Sequence, residues 1–325
     1  MTRNRILIGL LLLTLVLGAC GKKDDSNGSK ADDGKLEVYT TVYPLQYFTE
    51  RIGGDTVSVK SIYPAGTDEH SFDPTQKEMM KLADSDLFFY VGLGLEGFVE
   101  NAEKTLKNQH VKLLPTGDHI DQSKLMEDHH HESDEEEHGH EHEHEGDEHS
   151  EGNTDPHVWI SPVLSMDLAK AVRDGLTEQA PENKELYEKN FEALKSDLGS
   201  LDKEFATMVN QAASKKFFVS HAAFGYLANE YGLEQISIAG LNTQNEPSQK
   251  ELAHIVEEAK EAHVKTILFE QNVSSKLTKV VQNEIGADSA ILHNLSVLTK
   301  EDIANKEDYF SLMKRNIQVL SEALN

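Results

Sequence analysis

From residue 35 onward, short runs of apolar, β-branched and aromatic residues alternate with longer stretches whose apolar positions recur every three or four residues. The first half holds four such runs, Leu36–Val42, Val57–Ile62, Leu87–Val91 and Val111–Leu114. The second half holds four more, Phe217–Ser220, Gln235–Ile238, Thr266–Phe269 and Ala290–Leu292. Strand-length runs that alternate with helical stretches predict βα units and parallel sheets. Two sets of four, more than a hundred residues apart, predict an α/β chain of two lobes, each with a four-stranded, mainly parallel sheet flanked by helices.

The clearest helix lies between the two sets. Tyr187, Phe191, Leu194, Leu198, Leu201, Phe205 and Met208 step alternately by four and three, which places them on one apolar seam. A helix of about 30 residues spans roughly 45 Å. A heptad seam also suits a coiled-coil dimer, but about three heptads with a lobe on either side fit a strut packed along its own lobes, in a monomer. The predicted layout is an N-terminal lobe over 35–181, a connecting helix over 182–213 and a C-terminal lobe over 214–325.

The N-terminus has a different pattern. Arg3 and Arg5 precede a mainly apolar stretch of twelve residues, Ile6 to Leu17, and Leu17-Gly18-Ala19-Cys20 closes the segment. The apolar run is too short to span a bilayer, which takes about 20 residues, and has the layout of a signal peptide over 1–19. Leu-Gly-Ala-Cys resembles a lipobox, so Cys20 is the expected site of lipid attachment and of membrane anchoring. The polar stretch to residue 34 then reads as a flexible tether. Cys20 is the sole cysteine, which rules out an intramolecular disulfide and a Cys-rich zinc site.

Charge refines the layout further. The formal net charge is −26, which excludes a general grip on nucleic acid. Half of it comes from residues 127–151, which contain thirteen Asp or Glu, eight His and no Lys or Arg. With no apolar periodicity, the acidic His-rich stretch 118–153 is expected to be a mobile loop of the first lobe. Its histidines, His129, His130, His131, His138, His140, His142, His144 and His149, suit weak, exchangeable metal binding. A merely solvated charge run is the plainer account.

Four other segments carry metal-ligand chemistry at strand ends. His70 lies in the Pro-bounded loop 64–75 after the second strand, and His157 lies in Asp155-Pro-His-Val-Trp-Ile-Ser-Pro162. His221 follows the run FFVS directly, and Glu270 follows TILF. Ligands of open α/β sheets bind beyond the carboxyl ends of the strands, so a cleft between lobes is where these four would meet. Taken alone, a histidine near a strand end is more often a hydrogen-bonded packing residue, and Glu270 alone suits a helix N-terminus. Together, three imidazoles and a carboxylate form an N₃O set that suits tetrahedral Zn²⁺. The lack of sulfur ligands disfavours copper(I) and iron–sulfur chemistry.

The lipobox, the heptad helix, DPHVWISP, SHAAFGYLANEYGL and FEQNVSSK together resemble the metal-binding solute receptors of bacterial ABC importers, and within them the zinc branch. The resemblance covers nearly the whole mature chain. It implies two lobes joined by a rigid helix, with His70, His157 and His221 as zinc ligands and Glu270, or a water, as the fourth. Glu69 is the reserve candidate. The manganese-selective relatives carry an acid where this chain has His221. The resemblance also implies an ABC permease and its cytoplasmic ATPase as partners. The expected location is the outer face of the cytoplasmic membrane, lipid-anchored, in a Gram-positive cell. The cargo is Zn²⁺ and no reaction is catalysed.

Competing readings rest on identifiable features. Gly92-Leu-Gly-Leu-Glu-Gly97 fits G-x-G-x-x-G but follows the third strand, so a tight turn is expected rather than a dinucleotide site. A zinc-dependent hydrolase would use the three histidines with Glu270 as general base, a manganese receptor would keep the fold with another metal, and an adhesin role is compatible with transport. His110, His254 and His263 read as surface residues, while His293, at the end of a run, remains a further candidate for the cleft.

Overall fold

All eight apolar runs become strands. In the computed structural model, residues 34–127, 154–243, 247–271 and 275–325 are described. Cys20 and the eight histidines of the acidic run lie outside them.

The first half runs β1 (Leu36–Thr40), α1 (Tyr43–Gly53), β2 (Val57–Ser61), α2 (Gln76–Ala83), β3 (Leu87–Tyr90), α3 (Val99–Leu106) and β4 (Lys112–Pro115). Helices α4 (Pro162–Gln179) and α5 (Lys184–Gln211) lead into the second half. There follow β5 (Lys216–His221), α6 (Gly225–Tyr231), β6 (Glu234–Ala239), α7 (Gln249–Glu261) and β7 (Thr266–Phe269). The chain ends with α8 (Lys276–Ile285), β8 (Asp288–Ile291), α9 (Lys300–Asn305) and α10 (Tyr309–Ala323). His221 is the last residue of β5 rather than the first residue beyond it.

Every described strand pairing within the two sheets is parallel, and the sheets repeat one topology, β2-β1-β3-β4 and β6-β5-β7-β8. Crossovers leave β1 and β3 towards opposite edges of the first sheet, as they leave β5 and β7 in the second. Each sheet therefore has one switch point, at the carboxyl ends of its two central strands, where a crevice opens for a ligand.

The heptad seam is buried along its whole length, from Tyr187 to Met208. It packs against α1, α4 and α10 of the same chain, which leaves no free seam for a coiled-coil partner. A turn of 3-10 helix over Pro181–Asn183 starts α5, as expected where proline presets the backbone angle of a first helical turn. The Tyr187 hydroxyl lies 2.8 Å from Thr56 Oγ1, and Asn190 Nδ2 donates to the Ile52 carbonyl at 2.9 Å, which pins α5 to the first lobe.

One continuous apolar core runs from the first sheet through α1, α4 and α5 to α10 and the near side of the second sheet. Tyr309 of α10 stacks on Tyr47 and meets Phe48 edge to face, joining the two halves through aromatic contact. A small separate cluster, Ile238, Ile267, Phe269 and Val281, lies under α7 and α8. Helix α7 buries only Ala259 fully, and α8 only Thr278 and Val281. With little apolar area held from water, this flank is thinly anchored to the rest of the fold.

Candidate metal centre

The two central strands of the second sheet deliver the first two groups. Val219 pairs with Leu268 in the β5–β7 register. Two residues further along each strand stand His221 and Glu270, side by side at the switch point. His221 Nδ1 lies 2.9 Å from Glu270 Oε1, and His221 Nε2 lies 2.8 Å from the Leu241 carbonyl. Both ring nitrogens therefore face acceptors, as an imidazolium requires. Burial alone would push His221 down, but the Glu270 charge and hydrogen bond, with the Leu241 carbonyl, outweigh it and lift the imidazole to about 9. Burial likewise acts to raise Glu270, and the His221 charge and hydrogen bond overcome it, holding the carboxyl below its usual range.

Two loops of the first half bring the other imidazoles. The loop after β2 carries His70, whose backbone N–H donates to Asp68 Oδ1 at 3.0 Å. Thr243 Oγ1 donates to the other oxygen of Asp68 at 3.1 Å, so the turn that shapes this loop is tied to the loop after β6. His157 precedes a 3-10 turn over Val158–Ile160, after which Pro162 opens α4. The Asp155 carboxylate accepts from the His157 backbone N–H at 2.9 Å and faces its Nδ1 at 2.8 Å. With Nδ1 protonated towards Asp155, Nε2 keeps its lone pair for the site, the carboxylate–imidazole device that orients metal-ligating histidines.

The structure thus brings His70, His157 and His221 together, one ring nitrogen from each lying within 4.8 Å of the other two, whereas Glu270, the fourth residue expected there, is not part of that group. Among the described residues no other group of three or more His, Cys, Asp or Glu meets that condition. His157 Nε2 and His70 Nε2 are 3.3 Å apart. Two neutral imidazoles can face each other at this range, whereas two cations cannot. Burial, with His157 and His221 adding repulsion, drives His70 down to about 2, and burial lowers His157 despite Asp155. Glu69 is buried beside them and raised to about 7, chiefly by burial, with the charge of Glu270 adding to it.

Gly225 shows how tightly Asp155 is placed. A Cβ at Gly225 would lie 2.8 Å from Asp155 Oδ2. Asp155 is buried between α6 and His157 and has no solvent to retreat into. Gly225→Ala is expected to tilt His157 and weaken metal binding at this cluster about 10- to 100-fold, the usual cost of losing an outer partner of a ligand. A competitive zinc titration of the variant measures it, and an unchanged affinity would show that Asp155 has room to move.

The other histidines have different surroundings. His110 is exposed and 3.0 Å from Asp86, and His254 and His263 are exposed. His293 does not reach the cleft: its Nε2 lies 3.1 Å from Asp302 Oδ2 and its Nδ1 accepts from the Leu295 backbone N–H at 2.9 Å. Both nitrogens are used to shape the loop after β8.

The glycine motif after β3 resolves at the first sheet's switch point. Gly92 and Gly94 have φ of 78° and 81°. The chain curls so that the Val91 and Gly92 N–H groups donate to Glu96 at 2.8 and 2.9 Å, and Thr41 Oγ1 donates to it at 2.7 Å. The carboxylate of Glu96 fills the place where a phosphate would sit, and the motif is a self-capped turn. Sequence reasoning passed over Glu96, and also over Asn294, which donates from Nδ2 to Glu69 Oε1 at 3.0 Å and to Glu270 Oε2 at 2.6 Å. Glu96 is capped by its own turn and completed by the distant Thr41, while Asn294 becomes distinctive only through carboxylates 24 and 225 residues away.

The strand ends of both sheets turn towards one imidazole cluster, the layout of a two-lobed solute-binding fold. The chain belongs to the family of zinc-uptake complex component A, periplasmic, which matches residues 38–323. It is 39% identical over 310 residues to the high-affinity zinc uptake system protein ZnuA of Bacillus subtilis, covering 95% of this chain and 94% of that protein. It is 38% identical over 312 residues to the zinc-binding lipoprotein AdcA of Streptococcus pneumoniae. That match takes in 96% of this chain but 59% of AdcA, so the chain spans little more than half of that relative. The Zn(II)-bound ZnuA-like domain of pneumococcal AdcA superposes with a TM-score of 0.70 at 35% identity, over 90% of this chain and 99% of that one.

Proposed function

We propose that this chain is an extracytoplasmic zinc receptor that holds Zn²⁺ between its lobes and passes it to an ABC permease driven by a cytoplasmic ATPase. The observation that carries the reading is the convergence of three buried or half-buried imidazole nitrogens within 4.8 Å of one another. His70, His157 and His221 supply the nitrogens and Glu270 Oε1 the fourth ligand. Two neutral imidazoles, one imidazole that yields its proton and one carboxylate suit a borderline divalent ion better than a hard one. The names of the relatives, a zinc uptake protein and a zinc-binding lipoprotein, support the same cargo.

The protein binds and releases without catalysis. The continuous core and the seam of α5 favour small rearrangements of the loops around the site over a wide hinge opening. Lipidation at Cys20 would hold a monomer at the outer face of the cytoplasmic membrane, with residues 20–34 as tether. Among the described residues, no helix is long and apolar enough to cross a membrane.

The acidic run is an accessory in this reading. Its flanks meet at an antiparallel bridge between Glu127 and Thr154. The Tyr226 hydroxyl donates to the Asp155 carbonyl at 2.7 Å and accepts from the Met126 N–H at 3.1 Å. The run thus leaves from a closed stem beside His157, a placement that suits collection of zinc near the cleft.

Metal analysis after native purification tests the proposal, with one tightly held zinc per chain as the expected result. Manganese in its place would overturn the cargo, and turnover of ester or peptide substrates at that zinc would overturn the receptor. Deleting 127–151 is expected to lower the number of loosely bound zinc ions while sparing the tight one. Loss of the tight ion as well would make the run part of the primary site.

A further inference from the structure

Two buried carboxylates, one from each lobe, share a single amide. Asn294 is fully buried in the loop that follows β8. Its Oδ1 accepts from Ser296 N at 3.0 Å, Ser296 Oγ at 2.8 Å and Gln271 Nε2 at 2.7 Å. Three donors on one face leave the amide a single orientation, with Nδ2 turned towards Glu69 and Glu270. The backbone is held as well: the Asn294 carbonyl accepts from Trp159 Nε1 at 2.7 Å, and its N–H donates to Gln271 Oε1 at 3.1 Å. Trp159 lies two residues beyond His157, so this anchor ties the loop to the first lobe's ligand segment.

An Asn side chain has two N–H donors. Here one goes to Glu69 Oε1 at 3.0 Å and the other to Glu270 Oε2 at 2.6 Å. The consequence for Glu270 is directional. Oε2 is drawn towards Asn294, and Oε1 is left facing His221 and Ser220. A carboxylate held in this way offers a metal one oxygen. Glu69 shares the same amide through its Oε1.

Denticity matters because the metals differ in what they accept. Zinc is content with four ligands in a tetrahedron. Manganese belongs with the ions suited to octahedral oxygen-rich shells. A second oxygen from Glu270, or one from Glu69, would raise the coordination number and favour the harder ion. We propose that Asn294 is a specificity-determining positioning residue: by holding Oε2 of Glu270 it limits that carboxylate to one metal oxygen, and so favours Zn²⁺ over Mn²⁺. The inference rests on the zinc-receptor reading above and assigns its selectivity to a residue that does not itself touch the metal.

The test uses the full chain, loaded with Zn²⁺ or Mn²⁺. Asn294→Leu removes both donors at similar volume, and Asn294→Asp keeps the acceptor facing Ser296 while replacing the donors with an oxygen. The ratio of zinc to manganese affinity, from competition titrations, is expected to fall about 10- to 100-fold, the range for outer partners of metal ligands. X-ray absorption of the zinc-loaded variant is expected to show an added first-shell oxygen. Equal weakening for both metals with an unchanged first shell would overturn the proposal and leave Asn294 a packing residue. If Asn294→Leu fails to fold, the same two readouts on Asn294→Asp decide. Failure of the parent reading looks different: wild-type protein would then show no imidazole shell around zinc before any variant is made.

Discussion

Replacing His157 by Ala is expected to remove tight zinc binding while the chain still folds. Zinc held by four ligands is worth about 10–16 kcal/mol in small structural sites, so one imidazole accounts for roughly 3 kcal/mol and its loss for two to three orders of magnitude in affinity. The structure adds a reason to expect the upper end. Asp155 Oδ1 accepts both from the His157 backbone and from its ring, and the ring is packed 5.3 Å from Trp159 between centroids. The change therefore disturbs the support of the remaining site along with the ligand itself. His293→Ala is the informative contrast. It removes an equally buried imidazole paired with Asp302, and should lower the melting temperature through unpaired buried groups, at about 1–3 kcal/mol each, while leaving stoichiometric zinc. Isothermal titration and thermal melts on the two variants separate a ligand from a packing residue. Zinc retained in His157→Ala would sink the site.

The second large effect is on pH. In the metal-free arrangement His221 carries a proton up to about 9, because both of its nitrogens face acceptors and Glu270 lies beside it. Whichever nitrogen takes the metal must give up that proton. Zinc affinity should therefore rise about tenfold per pH unit between 7 and 9 and level off above, with one proton released per zinc. Below pH 7 the slope steepens, since Glu69, raised to about 7, also takes up a proton and the negative field around the site weakens. His70 and His157, pushed down by burial, contribute nothing to this window. Calorimetry in buffers of different ionisation enthalpy counts the proton directly, and a flat affinity from pH 7 to 9 would contradict the buried pair.

Stability follows with the opposite sign. A histidine raised from 6.5 to about 9 stabilises the folded metal-free chain fully below 6.5, and that contribution is lost as pH climbs through about 9. The gain in melting temperature from zinc should accordingly be larger at pH 9 than at pH 6.5. The thinly packed flank of α7 and α8, adjoining the Glu270 segment, is where metal binding has the most order to add.

The sheets and the strut were legible because their signals are local. Eight apolar runs, each bounded by polar or turn residues, became eight strands, and a seven-position seam became one face of α5, since the periodicity of burial is written residue by residue. The meeting of His70, His157 and His221 was legible as an expectation for the same reason: each stands at or just beyond a strand end or a Pro-bounded turn, and parallel α/β sheets place such ends together. What the glycine motif would hold was not. The peptide N–H groups that G-x-G-x-x-G turns inward are taken by Glu96 of the same turn, and only the fold's approach of Thr41 completes that cap.

By itself, then, the sequence determined the element pattern and the two-lobed class, and pointed to the three imidazoles that the fold brings together. Tertiary structure alone decided the state of the site. Whether His221 is charged and which oxygen of Glu270 faces the cleft depend on contacts spanning 20 or more residues of chain, or on burial that no local pattern encodes. Asn294 is the extreme case. It is an unremarkable polar residue in the sequence, and it gains a role because folding sets its amide between carboxylates 225 and 24 residues away. Low dielectric then makes the direction of two N–H bonds matter to what the neighbouring oxygens can bind.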